Sequence, residues 1–207
     1  MEDRRSLKSR NTFWANSIAL ALAKTKITPN QISMLSILMA LISMLAFYFS
    51  ATHEYLLIVA AIFIQLRLLC NLFDGMVAVE YNKKSHLGDL YNDLPDRFAD
   101  LFIILGLSLA VRDLPYALFM GWLAVFCAMT TAYIRVLGRS LGSKAYFIGP
   151  MAKQHRMFVC TASALIQYLF FQLNSHVPII YYALFIIIVG SIVTCFNRLI
   201  KISNEIK

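Results

Sequence analysis

Between positions 70 and 97 the chain reads CNLFDGMVAVEYNKKSHLGDLYNDLPDR, a span with four aspartates, three asparagines and two glycines. Asn71, Asp74, Gly75 and Ala78 stand at i, i+3, i+4 and i+7, the repeat of one helix face. Gly88, Asn92 and Asp96 stand at i, i+4 and i+8, a second such face if a helix begins near Leu87. Set opposite each other across the turn-like YNKKS, the two faces gather carboxylate and amide oxygens, the ligands of a hard divalent cation such as Mg²⁺ or Mn²⁺. The small residues leave room for a ligand to approach the backbone. A carboxylate near a membrane boundary needs a partner, because unpaired charge there is costly, and a bound metal supplies one. A solvated loop is built from the same residue types; recurrence on helical faces separates the two readings.

These faces need elements to hold them. The 207 residues are 59% hydrophobic, against roughly 45–50% in ordinary soluble domains, which points to a membrane protein. Hydropathy gives six candidate spans, about 32–51, 56–73, 97–111, 115–137, 157–174 and 177–199, near the ~20 residues that cross a bilayer. The third is short unless it extends back into the polar segment. Ahead of them, Trp14, Ile18, Ala21 and Leu22 share a helical face, which fits a helix lying on the membrane. Asn16 and Ser17 interrupt this run and argue against a cleaved signal. In ITPNQIS, Pro29 marks a helix start. The expected fold is an all-α integral membrane protein: six transmembrane helices behind a juxtamembrane amphipathic helix, in one domain over 1–207. Within it, 1–31 is the interfacial region, 32–199 the six-helix bundle and 200–207 a tail.

The net charge of +8 raises the question of nucleic acid, but the basic residues are split among four membrane-flanking segments rather than gathered on one soluble face. Arg4, Arg5, Lys8, Arg10, Lys24 and Lys26 precede the first span, and Lys83, Lys84 and Arg97 flank the second connection. Arg135, Arg139, Lys144, Lys153 and Arg156 mark the fourth, and Arg198, Lys201 and Lys207 the C-terminus. The connections ATHE, RDL and NSHV hold only Arg112. By the positive-inside rule, both termini and the polar motif face the cytoplasm, across the inner membrane of a cell. Cys70, Cys127, Cys160 and Cys195 lie far apart within or beside apolar runs, with no disulfide or zinc pattern.

The polar stretch resembles the signature of the CDP-alcohol phosphatidyltransferases, D-x2-D-G-x2-A-R-x8-G-x3-D-x3-D. Here it reads Asn71-x2-Asp74-Gly75-x2-Ala78-Val79-x8-Gly88-x3-Asn92-x3-Asp96, with every spacing kept and five of eight defined positions matched. The resemblance implies metal-dependent transfer of a phosphatidyl group from CDP-diacylglycerol to an alcohol, with release of CMP. It makes Asp96 the catalytic base. Asn71, Asp74, Asn92 and Asp96 would hold one or two Mg²⁺ or Mn²⁺ ions, while Asp74, Gly75, Ala78 and Gly88 line the nucleotide. It also implies a homodimer.

Asn71 and Asn92 stand for two of the family's aspartates and Val79 for its arginine, so the four carboxylates become two. Asparagine ligates through its amide oxygen but brings no charge. Three readings stay open: an altered metal stoichiometry, charge supplied instead by Asp89 or Asp93, or lost transferase activity. Asp89, Asp93, Asp96 and Asp100 also form a stripe at i, i+4, i+7 and i+11, which equally serves a helix dipole. Arg135, Lys153 and Arg156 are candidates for an acceptor phosphate, Arg135 foremost because it falls in the last turn of an apolar helix. Arg67 receives no role, and His86 and His155 have no partner spacing. From a different class, a non-catalytic lipid- or nucleotide-binding protein or a small transporter would fit the same scaffold. A transporter, however, places its polar residues near the midplane rather than at one boundary.

Overall fold

The computed structural model describes residues 12–81, 83 and 87–206. Arg4, Arg5, Lys8, Arg10, Lys84, His86, Lys207 and most of the YNKKS turn lie outside the described residues. The described chain is all-helical: α1 (Phe13–Lys24), α2 (Pro29–Phe49), α3 (Leu56–Glu80), α4 (Gly88–Ala110), α5 (Ala117–Ser140), α6 (Lys153–Gln172) and α7 (Ile179–Ile206).

Local chemistry fixes the entry to the bundle. The Thr28 hydroxyl accepts from the Gln31 amide at 3.3 Å, while the Gln31 side chain accepts from the Thr28 amide at 3.0 Å. Pro29 occupies the first turn, where its missing N–H costs nothing. The 21 residues of α2 then rise ~31 Å, about the thickness of a bilayer's hydrocarbon core.

Four helices, α2, α3, α5 and α7, are long and apolar enough to cross a membrane. The other two candidates, α4 and α6, differ because their first turns are polar. α4 begins at Gly88 rather than near 97, and α6 at Lys153 rather than near 157.

α2 packs against α3 and α4, α5 against α4 and α7, and α6 against α3 and α7. Phe47, Leu57, Ile64, Ile103, Leu107, Met157 and Leu184 fill the space between them. At Gly106 the backbones of α4 and α2 come so close that a Cβ would stand 2.9 Å from the Met44 Cα. Outside, Trp122, Phe126, Phe185 and Phe196 are more than half exposed, an apolar surface that suits lipid rather than water.

α1 lies against α3. Its buried face is Ala15 and Ala19, packed with Leu72, Phe73, Met76 and Val77, and Trp14 meets Phe73 edge-on at 6.3 Å. Trp14, Ile18 and Ala21 of the face expected at the membrane surface point outward, while Leu22 is partly buried against the bundle.

Hydrogen bonds sort the molecule into two ends. At one, Lys83 Nζ donates to the carbonyls of Ala23 at 2.7 Å and Thr25 at 3.1 Å, and Ser143 Oγ donates to Glu205 at 2.6 Å. At the other, Arg112 donates to the Tyr48 carbonyl at 2.8 Å, Gln172 to Glu54 at 3.3 Å, and Tyr181 to the Pro115 carbonyl at 3.1 Å.

Candidate active site

The polar motif occupies the C-terminal half of α3 and the first turns of α4, at the end marked by Lys83. Both helices run through it without a break, so the two faces read from the spacing do meet. The Asn71 side-chain amide on α3 donates to Asp96 Oδ1 on α4 at 2.7 Å.

Asp96 sits at the centre of an ion-paired cluster. One turn before Asn71, Arg67 has no exposed surface, and its Nη2 lies 3.3 Å from Asp96 Oδ1 and 3.0 Å from Asp100 Oδ1. Lys153, the first residue of α6, donates to Asp96 Oδ2. One turn further along α6, Arg156 donates to Asp100 Oδ2 at 2.5 Å and to the Met151 carbonyl at 3.1 Å. Asp96 and Asp100, one turn apart on α4, therefore clamp α3 to α6. Removing one member of such a buried network strands a charge, which costs far more than losing a surface pair. Arg97 adds a looser contact, 4.0 Å from Asp96.

The connection between α5 and α6 aims Lys153 at this cluster. Gly149 has φ +117, and a Cβ there would stand 2.5 Å from Thr194. Thr194 Oγ1 in turn accepts the Met151 amide at 2.9 Å, and Arg198 donates to the Ile148 carbonyl at 3.0 Å. The segment just before α6 is thus pinned to α7.

Asp74 is 3% exposed and stands apart from the clamp. Ser33 on α2 donates to its Oδ2 at 2.6 Å, while its Oδ1 is buried with no hydrogen-bond partner. A buried carboxylate oxygen without a partner calls for a ligand, a water or an ion.

The remaining expected residues fall as follows. Gly75, Ala78 and Gly88 are partly buried, Gly88 as the first residue of α4, and Asn92 is exposed. Asp93 pairs with Arg135 at 2.6 Å, and Arg135 also lies 5.0 Å from the Phe147 ring centroid. Asp89 belongs to α4, but its side chain is outside the described residues. Each cation expected at an acceptor phosphate holds a carboxylate of α4: Arg135 with Asp93, Lys153 with Asp96, Arg156 with Asp100.

Two members of the cluster, Arg67 and Asp100, had no role in the sequence reading of the site. The signals were present: an arginine inside an apolar span, which requires a reason, and an aspartate one helical turn beyond Asp96.

As a metal site, the described donors are uneven. The free Asp74 Oδ1 suits a cation, whereas both oxygens of Asp96 are already met by Arg67, Asn71 and Lys153. Among the described residues, no three His, Cys, Asp or Glu side chains come together as a metal-binding group. A Mg²⁺-type ion is commonly bound through one or two carboxylates with substrate phosphates completing its shell.

Comparisons with known proteins complete the picture. A family model described as CDP-alcohol phosphatidyltransferase matches residues 26–196. The inner membrane protein YnbA of Escherichia coli (strain K12) is 25% identical over 155 residues, 74% of this chain and 71% of that protein. Among solved structures, phosphatidylinositol phosphate synthase of Mycobacterium tuberculosis superposes in complex with manganese and citrate with a TM-score of 0.77, at 18% identity, covering 91% of this chain and 88% of that one. The same synthase with CDP-DAG bound gives 0.74 at 19% identity, over 91% and 92% of the chains. With the family model spanning six of the seven helices and the motif's two faces joined across α3 and α4, this chain is an α-helical integral membrane enzyme of the CDP-alcohol phosphatidyltransferase family.

Proposed function

We propose that the chain transfers a phosphatidyl group from CDP-diacylglycerol to an alcohol, releasing CMP, at the cytoplasmic boundary of a cell's inner membrane. The observation that carries this reading is the 2.7 Å hydrogen bond from Asn71 to Asp96, which joins the halves of the motif face to face. Manganese and CDP-DAG in structures of a synthase with the same fold, and the membrane assigned to the Escherichia coli relative, support it. In this reading α4 and α6 cross the bilayer with the four more apolar helices, α1 lies at the interface, and the protein works as a homodimer.

The acceptor hydroxyl attacks the phosphorus that carries the diacylglycerol, and its proton passes to Asp96. The bond from that phosphorus to the bridging oxygen breaks, and CMP leaves with the electron pair. Arg67 and Asn71 hold Asp96 Oδ1, so the carboxylate is fixed in orientation before substrate arrives. Lys153, a flexible ammonium on Asp96 Oδ2, exchanges onto the diphosphate oxygens as substrate binds, leaving Oδ2 for the hydroxyl proton. Gly75, Ala78 and Gly88 let the nucleotide approach the backbone. Asp74, with Asn71 and Asn92 at the other ligand positions, would hold Mg²⁺ or Mn²⁺, which would supply neutralisation of the diphosphate and of departing CMP when bound. Arg135 is the group for an acceptor phosphate, its side chain 17% exposed, whereas Arg156 at 1% is committed to Asp100.

The test is CMP release by purified protein from CDP-diacylglycerol with Mg²⁺ or Mn²⁺ and a panel of acceptors: glycerol phosphate, inositol phosphate and serine. Metal-dependent release with one of them is expected. No release across the panel, together with no binding of the CDP-lipid, overturns the reading.

A further inference from the structure

We infer that this site takes a single divalent ion, on Asp74, and that the Lys153 ammonium does the work of a second. The inference rests on the transferase reading above and narrows it.

Charge decides the matter first. Asp74, Asp96 and Asp100 are buried, and so are Arg67 and Arg156, while Lys153 reaches Asp96 with a side chain 23% exposed. Among the described residues, Asp96 and Asp100 meet the three cations Arg67, Arg156 and Lys153, and Arg97 approaches as a fourth at 4.0 Å, while Asp74 stands apart from them. Asp93 offers no surplus, since it is paired with Arg135. Divalent-ion affinity depends on how many charged oxygens a site presents. A clamp in which cations already outnumber carboxylates leaves no carboxylate charge for a second ion beside the one on Asp74.

Geometry then says which half of the site is left. Asp96 Oδ1 receives Arg67 and Asn71, and Asp96 Oδ2 receives Lys153. Asn71 meets Asp96 through its amide nitrogen, so toward this carboxylate it acts as a donor and not as a ligand oxygen. Asn92 is exposed and uncharged. Among the described residues, Asp74 Oδ1 is a carboxylate oxygen that is buried and unpartnered, on the side of α3 that faces Ser33 of α2. One ion there would share the diphosphate with Lys153 once its ammonium exchanges off Asp96. Uncharged Asn71 and Asn92 and the cations Arg67 and Lys153 thus act in one direction, leaving less negative charge for a metal.

The test counts Mn²⁺ per chain by electron paramagnetic resonance, on the full-length protein in nanodiscs containing CDP-diacylglycerol, against empty nanodiscs of the same composition. One ion is expected, without the dipolar coupling of two ions ~3.5–4 Å apart, and Asp74→Asn is expected to abolish it. Two ions, no ion, or an ion kept by Asp74→Asn overturns the inference. The Asn71→Asp/Asn92→Asp chain with Lys153 intact is expected to stay at one, and adding Lys153→Met to bring a coupled pair. A pair while Lys153 is present overturns its part. CMP release on the same preparation separates the two claims. Release with two ions sinks the single-ion site and leaves the transferase standing; one ion with neither release nor CDP-lipid binding upholds the stoichiometry and sinks the transferase.

Discussion

In the proposed reaction Asp96 takes a proton, and in the structure it also joins α3 to α6. Asp96→Asn keeps the shape and removes the proton acceptor, so kcat should fall by ~10²–10⁴ while the KM for CDP-diacylglycerol changes little. CMP release at saturating acceptor checks this, and an unimpaired kcat would remove Asp96 from the chemistry. Arg67 separates stability from catalysis. Arg67→Met strands Asp100 and part of Asp96 in a buried setting and should cost about 3–5 kcal/mol, read by thermal unfolding in detergent. Arg97→Met, which loses a partly exposed contact at 4.0 Å, should cost less than about 1 kcal/mol. Equal losses would mean that the cluster is not what holds α3 to α4 and α6. Asn71, Asp74 and Asp96 were legible in the sequence because helical spacing puts them on two faces and the gaps match a known signature. Arg67, Asp100 and Arg156 were not legible as a unit. Their contact runs across three helices, and no periodicity within one segment reports a pair 33 or 56 positions apart.

The elements show the same division between local and distant causes. The third span does extend back into the polar segment, since α4 begins at Gly88 and carries Asn92 and Asp96 before its apolar half. A hydropathy window misses such turns for a physical reason: polar and charged residues at a helix start are those an apolar average rejects. The same blindness shortened the estimate for α6, whose first residues Lys153 and Arg156 belong to the cluster. The outward placing of Trp14, Ile18 and Ala21 on α1 follows from packing, because only the small Ala15 and Ala19 let the helix lie close to α3. Gly149 offers a test of how α6 is aimed. An alanine there combines an unfavourable φ of +117 with a clash against Thr194. Gly149→Ala should therefore cost more than the ~1–3 kcal/mol of backbone strain alone and lower CMP release by moving Lys153. Gly142 also has positive φ, +91, but a Cβ there meets nothing within 4 Å. Gly142→Ala should lose no more than that strain and keep its activity. If the two variants behave alike, the contact of the loop with α7 does not position Lys153.

Across the whole molecule, the two ends differ in charge far more than in shape. At the end holding the motif stand Lys24, Lys26, Lys83, Arg97, Arg135, Arg139, Lys144, Lys153, Arg156, Arg198 and Lys201, whereas at the other, among the described residues, the basic side chain is Arg112. The sequence already alternated in this way, and the helix packing converts the alternation into geometry: Lys83 reaches the end of α1, and Ser143 reaches Glu205 near the end of α7. Connections far apart in the chain are thus placed at one boundary. The positive-inside rule predicts that the motif end faces the cytoplasm, because translocating basic flanks is disfavoured. This predicts the side on which substrate must arrive. In a chain whose four native cysteines are replaced by alanine, a cysteine at Lys144 should react with a membrane-impermeant maleimide in inverted vesicles and not in intact cells. A cysteine at Asp113, exposed beside Arg112, should do the reverse. Labelling of Lys144→Cys from outside intact cells would turn the protein over and put its active site on the side where no cytoplasmic CDP-lipid is presented, so the same result would also undercut the proposed reaction.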